Sequence, residues 1–213
     1  MLGAEGVKRL LIRRFKEVMP TALEVRRALT GATVADLPDV KRWYPTAVPD
    51  VPAGLFPFAT VTVEGTNGEL SNEMDTSDFM EHEFTIEYTV LLTLWTMVNS
   101  QAGDAQARLQ VERLALAARE TALQSRELTT DAEKDSALVN YARWVEEYDI
   151  TQPDNTGAWL ASATLQIPVL ATEYLDRAPY LPGNLAVLRS HEQDRVTLDG
   201  TQVPGPPPIE YTG

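Results

Sequence analysis

Residues Phe84 to Met97 read FTIEYTVLLTLWTM. Phe84, Ile86, Tyr88, Val90, Leu92 and Leu94 take every second position, while the positions between begin as Thr85, Glu87 and Thr89 and turn apolar at Leu91, Trp95 and Met97. Apolar residues at period two line one face of a β-strand, whereas a helix needs them every three to four positions. β-branched and aromatic side chains dominate the stretch, which suits a pleated, half-buried surface. At about 3.3 Å per residue the strand would span about 46 Å, far beyond the usual length. From Leu91 onward both faces are apolar. That half is either a central strand covered on two sides within the subunit or a surface completed by another chain.

The neighbours of this strand follow from the same period. FATVTVE, Phe58 to Glu64, alternates and predicts a strand that pairs with it as an antiparallel hairpin. Between the two lies Gly65 to Met80, rich in turn formers and in acidic residues, which reads as a solvated hairpin tip able to order on meeting a partner. Its Asp75, Asp78 and Glu81 lack the order and terminal glutamate of a calcium loop, so no metal is expected there. Downstream, Ala105 to Gln124 is filled with strong helix formers, with Leu109, Leu116 and Leu123 at heptad spacing and a face of small alanines suited to packing on a sheet. Glu127 to Ser136 reads as a polar connection. Ala142 to Ile150 then predicts a charged edge strand, and Trp159 to Leu170 a fourth strand, whose Pro168 places its far end at an edge or beyond the ladder.

Upstream, Val7, Leu10, Leu11, Phe15 and Val18 form one apolar stripe of an amphipathic helix. Pro20 is expected to break or kink it, with Ala22 to Leu29 resuming and Gly31 ending it. Thr30 to Phe56, with four prolines, reads as irregular and extended, and Trp43 and Tyr44 within it are candidate anchors onto the body or a neighbouring subunit. After Asp176 the texture becomes an arm rich in proline and polar residues, so the expected organisation is a domain over 1–175 and an extended arm over 176–213.

Composition narrows the function classes. The chain has 213 residues, net charge −13 and no cysteine. Thiol catalysis, disulfide scaffolding and cysteine-ligated metals are therefore excluded. The charge is polarised: residues 1–29 hold seven basic and three acidic side chains, a net of +4, which leaves −17 for the remainder. A basic helix on an acidic body, with Arg13 and Arg14 at its centre, can stack head to tail with copies of itself or meet a differently charged partner. Such a balance argues against a broad nucleic-acid surface. No apolar run is long enough to span a membrane, and the N-terminus has no signal-peptide pattern.

Catalytic signatures are missing. The two histidines, His82 and His191, have no recognisable partners, and there is no phosphate loop, dinucleotide fingerprint or nucleophile elbow. Carboxylates such as Asp131 and Glu133, or Glu146 and Glu147, read as solvated charge. No cofactor and no catalytic activity are expected, although a small enzyme or ligand-binding domain with a site assembled only in the fold is the competing class.

The ordered pattern resembles the tail terminator proteins of long-tailed bacteriophages, also called minor tail or tail-to-head joining proteins. The residues that carry the resemblance are FPFATVTVEG (Phe56 to Gly65), FTIEYTVLLTLWTM, the helix after it, and WVEEYDITQPDNTGAWLASATLQIPVLATE (Trp144 to Glu173). It covers residues 1 to about 175. It implies an α+β subunit with a four-stranded, mostly antiparallel sheet packed against two main helices, with a long hairpin; the extended C-terminal arm from Asp176 onward has no counterpart in the resemblance. It further implies a hexameric ring that caps the tail tube, meets the tube protein on one side and the head connector on the other, and lets DNA pass without specific binding. The location implied is the head-tail junction of the virion, after synthesis in the host cytoplasm. A head-tail connector or tail-completion subunit is the nearest alternative. The candidate contact residues are Trp43, Tyr44, Leu91, Trp95, Met97, Arg13 and Arg14.

Overall fold

The computed structural model describes residues 3–48, 51–72, 81–99, 103–124, 126–129, 136–140, 145–151 and 157–176. Contacts divide the chain into two units, residues 1–73 with 83–174, and residues 74–82 with 175–213. The first holds both helices and nearly all of the sheet. Of the second, only 81–82 and 175–176 are described, so the expected acidic tip beyond residue 72 and the arm after Asp176 lie outside the described residues.

The elements in order are helix α1 (Gly3–Thr30), strand β1 (Arg42–Tyr44), a short 3-10 turn (Ala53–Leu55), β2 (Phe58–Asn72), β3 (Glu81–Asn99), helix α2 (Gly103–Gln124), β4 (Ser136–Val139), β5 (Val145–Thr151) and β6 (Ala158–Asp176). The α+β class and the two helices agree with the expectation. Among the described residues, however, the sheet has six strands rather than four, and it is mixed: β1 runs parallel to β2. The order is β1-β2-β3-β6-β4, with β5 also on β6.

β2 and β3 form one long antiparallel hairpin from the Phe58–Trp95 pair to the Asn72–Glu83 pair, with irregularities at Val63/Gly65 and Leu70/Asn72. Part of the stretch expected to be a loop, 65–72, is therefore strand. Its polar residues pair because β3 supplies a continuous partner, and two bulges absorb the register errors. At one crossing Gly68 lies opposite Ile86, whose Cγ1 is 3.3 Å from where a Cβ would stand. β3 and β6 lie side by side, and the contacts Tyr88–Glu173 and Thr93–Thr164 run in opposite senses along them, the pattern of an antiparallel pair.

The outer edge of β6 is shared. β5 covers residues 160–166 and β4 covers 169–172. Pro168 falls in the gap between these two partners, and the Asn140 amide donates to its carbonyl at 2.8 Å. Its missing N–H therefore costs no ladder bond, and the proline sits buried in mid-strand rather than at a strand end. β4 itself, unforeseen in Ser136–Val139, inserts Ala137 and Val139 into the core.

Both helices pack on one face of this sheet and against each other. Tyr88, Val90, Leu92 and Leu94 of β3, Ala59 and Val61 of β2, and Ala161 to Ala171 at odd positions of β6 meet Val7, Leu11, Phe15, Met19 and Leu23 of α1. From α2 come Ala107, Val111, Leu114, Ala115, Ala118 and Ala122. Ala115 is buried with Ala107, Ala117, Ala118 and Ala122, as expected of an alanine face, but Ala105 is exposed. The leucines at heptad spacing turn outward, with Leu109 40% and Leu123 46% exposed. Small side chains let the helix axis approach the sheet, and turning the leucines inward would hold it off.

α1 runs unbroken for 28 residues with Pro20 inside it. Proline removes the donor that would answer the Lys16 carbonyl, but Lys16 and Pro20 are both exposed, so water replaces that donor and the helix continues. Gly31, at φ +66°, ends it as foreseen. At the other end the buried Glu173 carboxylate accepts from the Gly3 amide at 3.1 Å and from the Tyr88 hydroxyl at 2.6 Å through Oε1, while Oε2 has no hydrogen-bond partner among the described residues. A carboxylate at a helix N-terminus is favourably placed, and this one fixes α1 to β3 and β6. Between the helices, Arg26 and Glu120 pair through two guanidinium nitrogens, Nε to Oε2 at 2.8 Å and Nη2 to Oε1.

Candidate assembly surface

Strand alternation decides what the second face of the sheet presents. With the even residues of β3 under the helices, Leu91, Thr93, Trp95 and Met97 point the other way, and each is half-buried rather than buried. The paired strands carry Phe58 and Thr60 of β2, and Leu160, Thr164 and Leu170 of β6, onto the same face. Among the described residues no helix packs on it. The apolar upper half of β3 is thus covered on one side within the subunit and left to lateral neighbours on the other.

An aromatic cluster stands at one end of this face. The Phe58 and Trp95 rings, opposite each other in the register, stack with centroids 6.0 Å apart and planes at 12°. Phe56 meets Phe58 edge-on at 4.9 Å, and Tyr44 does so at 5.9 Å. These rings shield one another from water and leave Phe58 only 4% exposed. Thr93 and Thr164 share a hydrogen bond at 3.1 Å across β3 and β6. The part of the face around Trp95 and Thr93 is therefore uncharged, while Glu87, further along β3 on the same face, accepts from the Asn140 side chain at 3.4 Å. The borders of the face differ in sign, with Arg42 on β1 at one side and Glu147 and Asp149 on β5 at the other.

The structure brings four of the seven candidate contact residues, Tyr44, Leu91, Trp95 and Met97, onto this one face. The other three lie elsewhere. Trp43, one residue from Tyr44, turns under the helix layer, its ring 5.7 Å from that of Phe15. Consecutive strand residues point to opposite faces, so the pair cannot act together. On α1, an Arg13 Nη2 donates to the Leu128 carbonyl at 3.0 Å, and Arg14 stands 3.6 Å from Glu17 with its Nε buried and without a hydrogen-bond partner among the described residues. Phe56 and Phe58 were not singled out from the sequence. The signal that would have found them is the hairpin register, which sets Phe58 opposite Trp95.

A second polar cluster ties the helix layer to the sheet edge. Arg119 of α2 grips Glu146 of β5 with two donors, Nε to Oε1 at 2.6 Å, and the Tyr148 hydroxyl donates to Glu146 Oε2 at 2.7 Å. The hydrogen bond to Glu146 raises the Arg119 pKa. Burial first, then the Glu146 hydrogen bond and charge, push the Tyr148 phenol up to about 12. Glu146 is thus held by its donors rather than placed to take a proton from a substrate. Among the described residues no group of three or more His, Asp or Glu side chains could hold a metal, and no helix is long and apolar enough to cross a membrane.

No protein-family model matches the chain, and no curated protein matches it. Among solved structures, a chain from the virion of a native gene transfer agent particle is similar at 13% identity and a TM-score of 0.31, over 72% of this chain and 92% of that one. Superposition at that level is too loose to establish a shared fold or function.

Proposed function

We propose that this chain is a structural subunit of a phage-like particle, of the tail terminator kind: copies join through unlike surfaces into a ring that caps the tail tube and joins it to the head connector. The observation that carries the reading is the apolar row Leu91, Trp95 and Met97 beside Phe58 and Tyr44, on a sheet face that no described helix covers. A partly exposed row of this kind fits a protein interface better than a monomer surface. In support, the FPFATVTVEG, FTIEYTVLLTLWTM and Trp144 to Glu173 stretches resemble that family, and they correspond to β2, β3, β5 and β6. A closed ring of identical copies needs two different complementary patches on each. The opposite charges at the β1 and β5 borders of this face provide such a difference. In this reading the subunit has no catalytic role and needs no cofactor. The net charge of −13 lets DNA traverse the ring without adhering.

The test is to mix the purified chain with uncapped tail tubes and image the ends. Rings seated on tube ends, lost when Trp95 is changed to Asp, support the reading. Tubes left bare at saturating protein, or density elsewhere in the particle as for a connector or tail-completion subunit, refute the terminator role.

A further inference from the structure

A cavity of about 250 Å³ opens between α1 and the segment leading into β1. Its floor is apolar, formed by Phe15, Met19 and Leu23, each 1% exposed, with Val40 and Trp43 beside them. Lys16 and Lys41 stand at the rim, both exposed. Asp39 also lines it, but its carboxylate is engaged by Arg27 at 2.6 Å, so the net character of the rim is cationic. Lys41 Nζ donates to the Gly54 carbonyl at 3.0 Å, and Lys16 has no ion pair among the described residues. Pro20 lies in the same wall, where the Lys16 carbonyl lacks its helical donor. The cavity is therefore an apolar socket ringed by two lysines and one available backbone acceptor.

Size decides what it takes. Ligand pockets usually hold about 300 to 1,000 Å³, whereas a cavity of about 150 Å³ accepts a benzene ring. This one suits one or two large side chains rather than a cofactor. The occupant should present an aromatic or methionine side chain flanked by carboxylates. The chain's own sequence contains such a segment: Glu69 to Glu83 has six acidic residues and no lysine or arginine, and at its centre Asp78-Phe79-Met80-Glu81 places two large apolar residues between two acids. It takes in the end of β2, the start of β3 and the residues 73–80 that join them, on a hairpin whose exposed residues Glu64 to Gly68 run past the last buried positions, Val61 and Tyr88.

We infer that the socket of one copy receives Phe79 and Met80 of a second copy, with Asp78 and Glu81 facing Lys16 and Lys41. This deepens the assembly reading by naming one pair of unlike surfaces, and it rests on that reading. The pairing is heterologous: each copy gives one hairpin and receives another. It also accounts for the polarised charge, because the basic helix of one copy meets the acidic stretch of the next.

A complementation experiment tests it. One full-length variant carries Lys16→Glu with Lys41→Glu and keeps the hairpin. The other carries Phe79→Ala with Met80→Ala and keeps the socket. Circular dichroism establishes that both fold, as the exposure of the two lysines leads one to expect. Each variant alone should associate at least tenfold more weakly than the wild type. Their mixture should restore one contact and give a one-to-one pair, at least tenfold tighter than either variant with itself and weakened by salt. A mixture no tighter than its components, or variants that associate as the wild type does, overturns the inference. In the second case wild-type association would persist and the assembly reading would survive. A wild-type chain that never associates would overturn both.

Discussion

Leu92 and Trp95 stand three residues apart on β3 and point to opposite faces, which makes them a matched pair for separating folding from assembly. Leu92 is 0% exposed beneath the helices, where truncation to alanine leaves a cavity that two packed layers cannot close. The expected cost is about 3 kcal/mol, within the range of about 2–5 for such changes. Trp95 is half-buried. Of the roughly 200 Å² an indole can cover, about 100 Å² or more is already hidden by lateral neighbours, worth about 2.5 kcal/mol at about 25 cal/mol per Å². The Phe58 stack at 6.0 Å adds about 0.5–1 kcal/mol. Trp95→Ala should therefore destabilise the isolated subunit by about 3 kcal/mol, much as Leu92→Ala does. Association should separate them. A central aromatic in an interface is worth at least about 2 kcal/mol per contact, so Trp95→Ala should weaken assembly by about 30-fold or more. Leu92→Ala should leave it nearly unchanged at protein concentrations where the subunit is folded. Urea unfolding of dilute protein measures the first quantity, and light scattering over a concentration series measures the second. Equal loss of association in both variants would show that assembly merely follows stability, and unchanged association in Trp95→Ala would show that the open face is not an interface.

Three further outcomes are expected. The Tyr148 pKa is raised from 10.0 to about 12, so between those values the folded phenol keeps a proton that the unfolded chain has lost; the stability this provides is fully present below pH 10 and disappears as pH rises through 12. Ultraviolet titration should show a tyrosine that ionises near pH 12 and is lost in Tyr148→Phe, and a titration curve unchanged by that substitution above pH 11 would contradict the described Glu146 contact. Glu173→Ala leaves the Tyr88 hydroxyl and the Gly3 amide without their acceptor and opens a buried void, at a cost of about 2–4 kcal/mol by chemical denaturation; a change below about 0.5 kcal/mol would show that the carboxylate does not hold α1. Pro20→Ala restores the donor to the Lys16 carbonyl in an exposed part of α1 and should raise stability by about 1–3 kcal/mol, whereas a loss of stability would mean that the helix depends on its proline.

Period two located β2, β3 and β6 without error of type, because alternation survives any tertiary context that buries one face. The lengths escaped it. β2 runs on to Asn72 and β6 to Asp176 through residues with little apolar signal, since a long partner supplies backbone bonds whatever the side chains are. β1 and β4 are three and four residues long, too short for any period to register. Both prolines misled for one reason: the cost of a missing donor depends on what faces it, water at Pro20 and a gap between two strands at Pro168. Heptad leucines drew attention on α2, yet the sheet selected the alanines, because approach distance and not hydrophobicity decided the buried face. At the candidate surface, Leu91, Trp95 and Met97 were legible as a surplus apolar row. Their neighbours Phe56 and Phe58 were not, because that contact is made by strand register. The same alternation that joins Tyr44 to this face removes Trp43 from it, which a sequence pair read as a unit conceals.

The central claim, that unlike faces of this subunit close into a ring, is tested most directly by measuring the mass and symmetry of the assembled protein by electron microscopy at high concentration, alone and with tail tubes. A closed ring with cyclic symmetry, its copies in contact through the Trp95 face, is the result expected. Single subunits at every concentration, with that face bare in the presence of tubes as well, would contradict it.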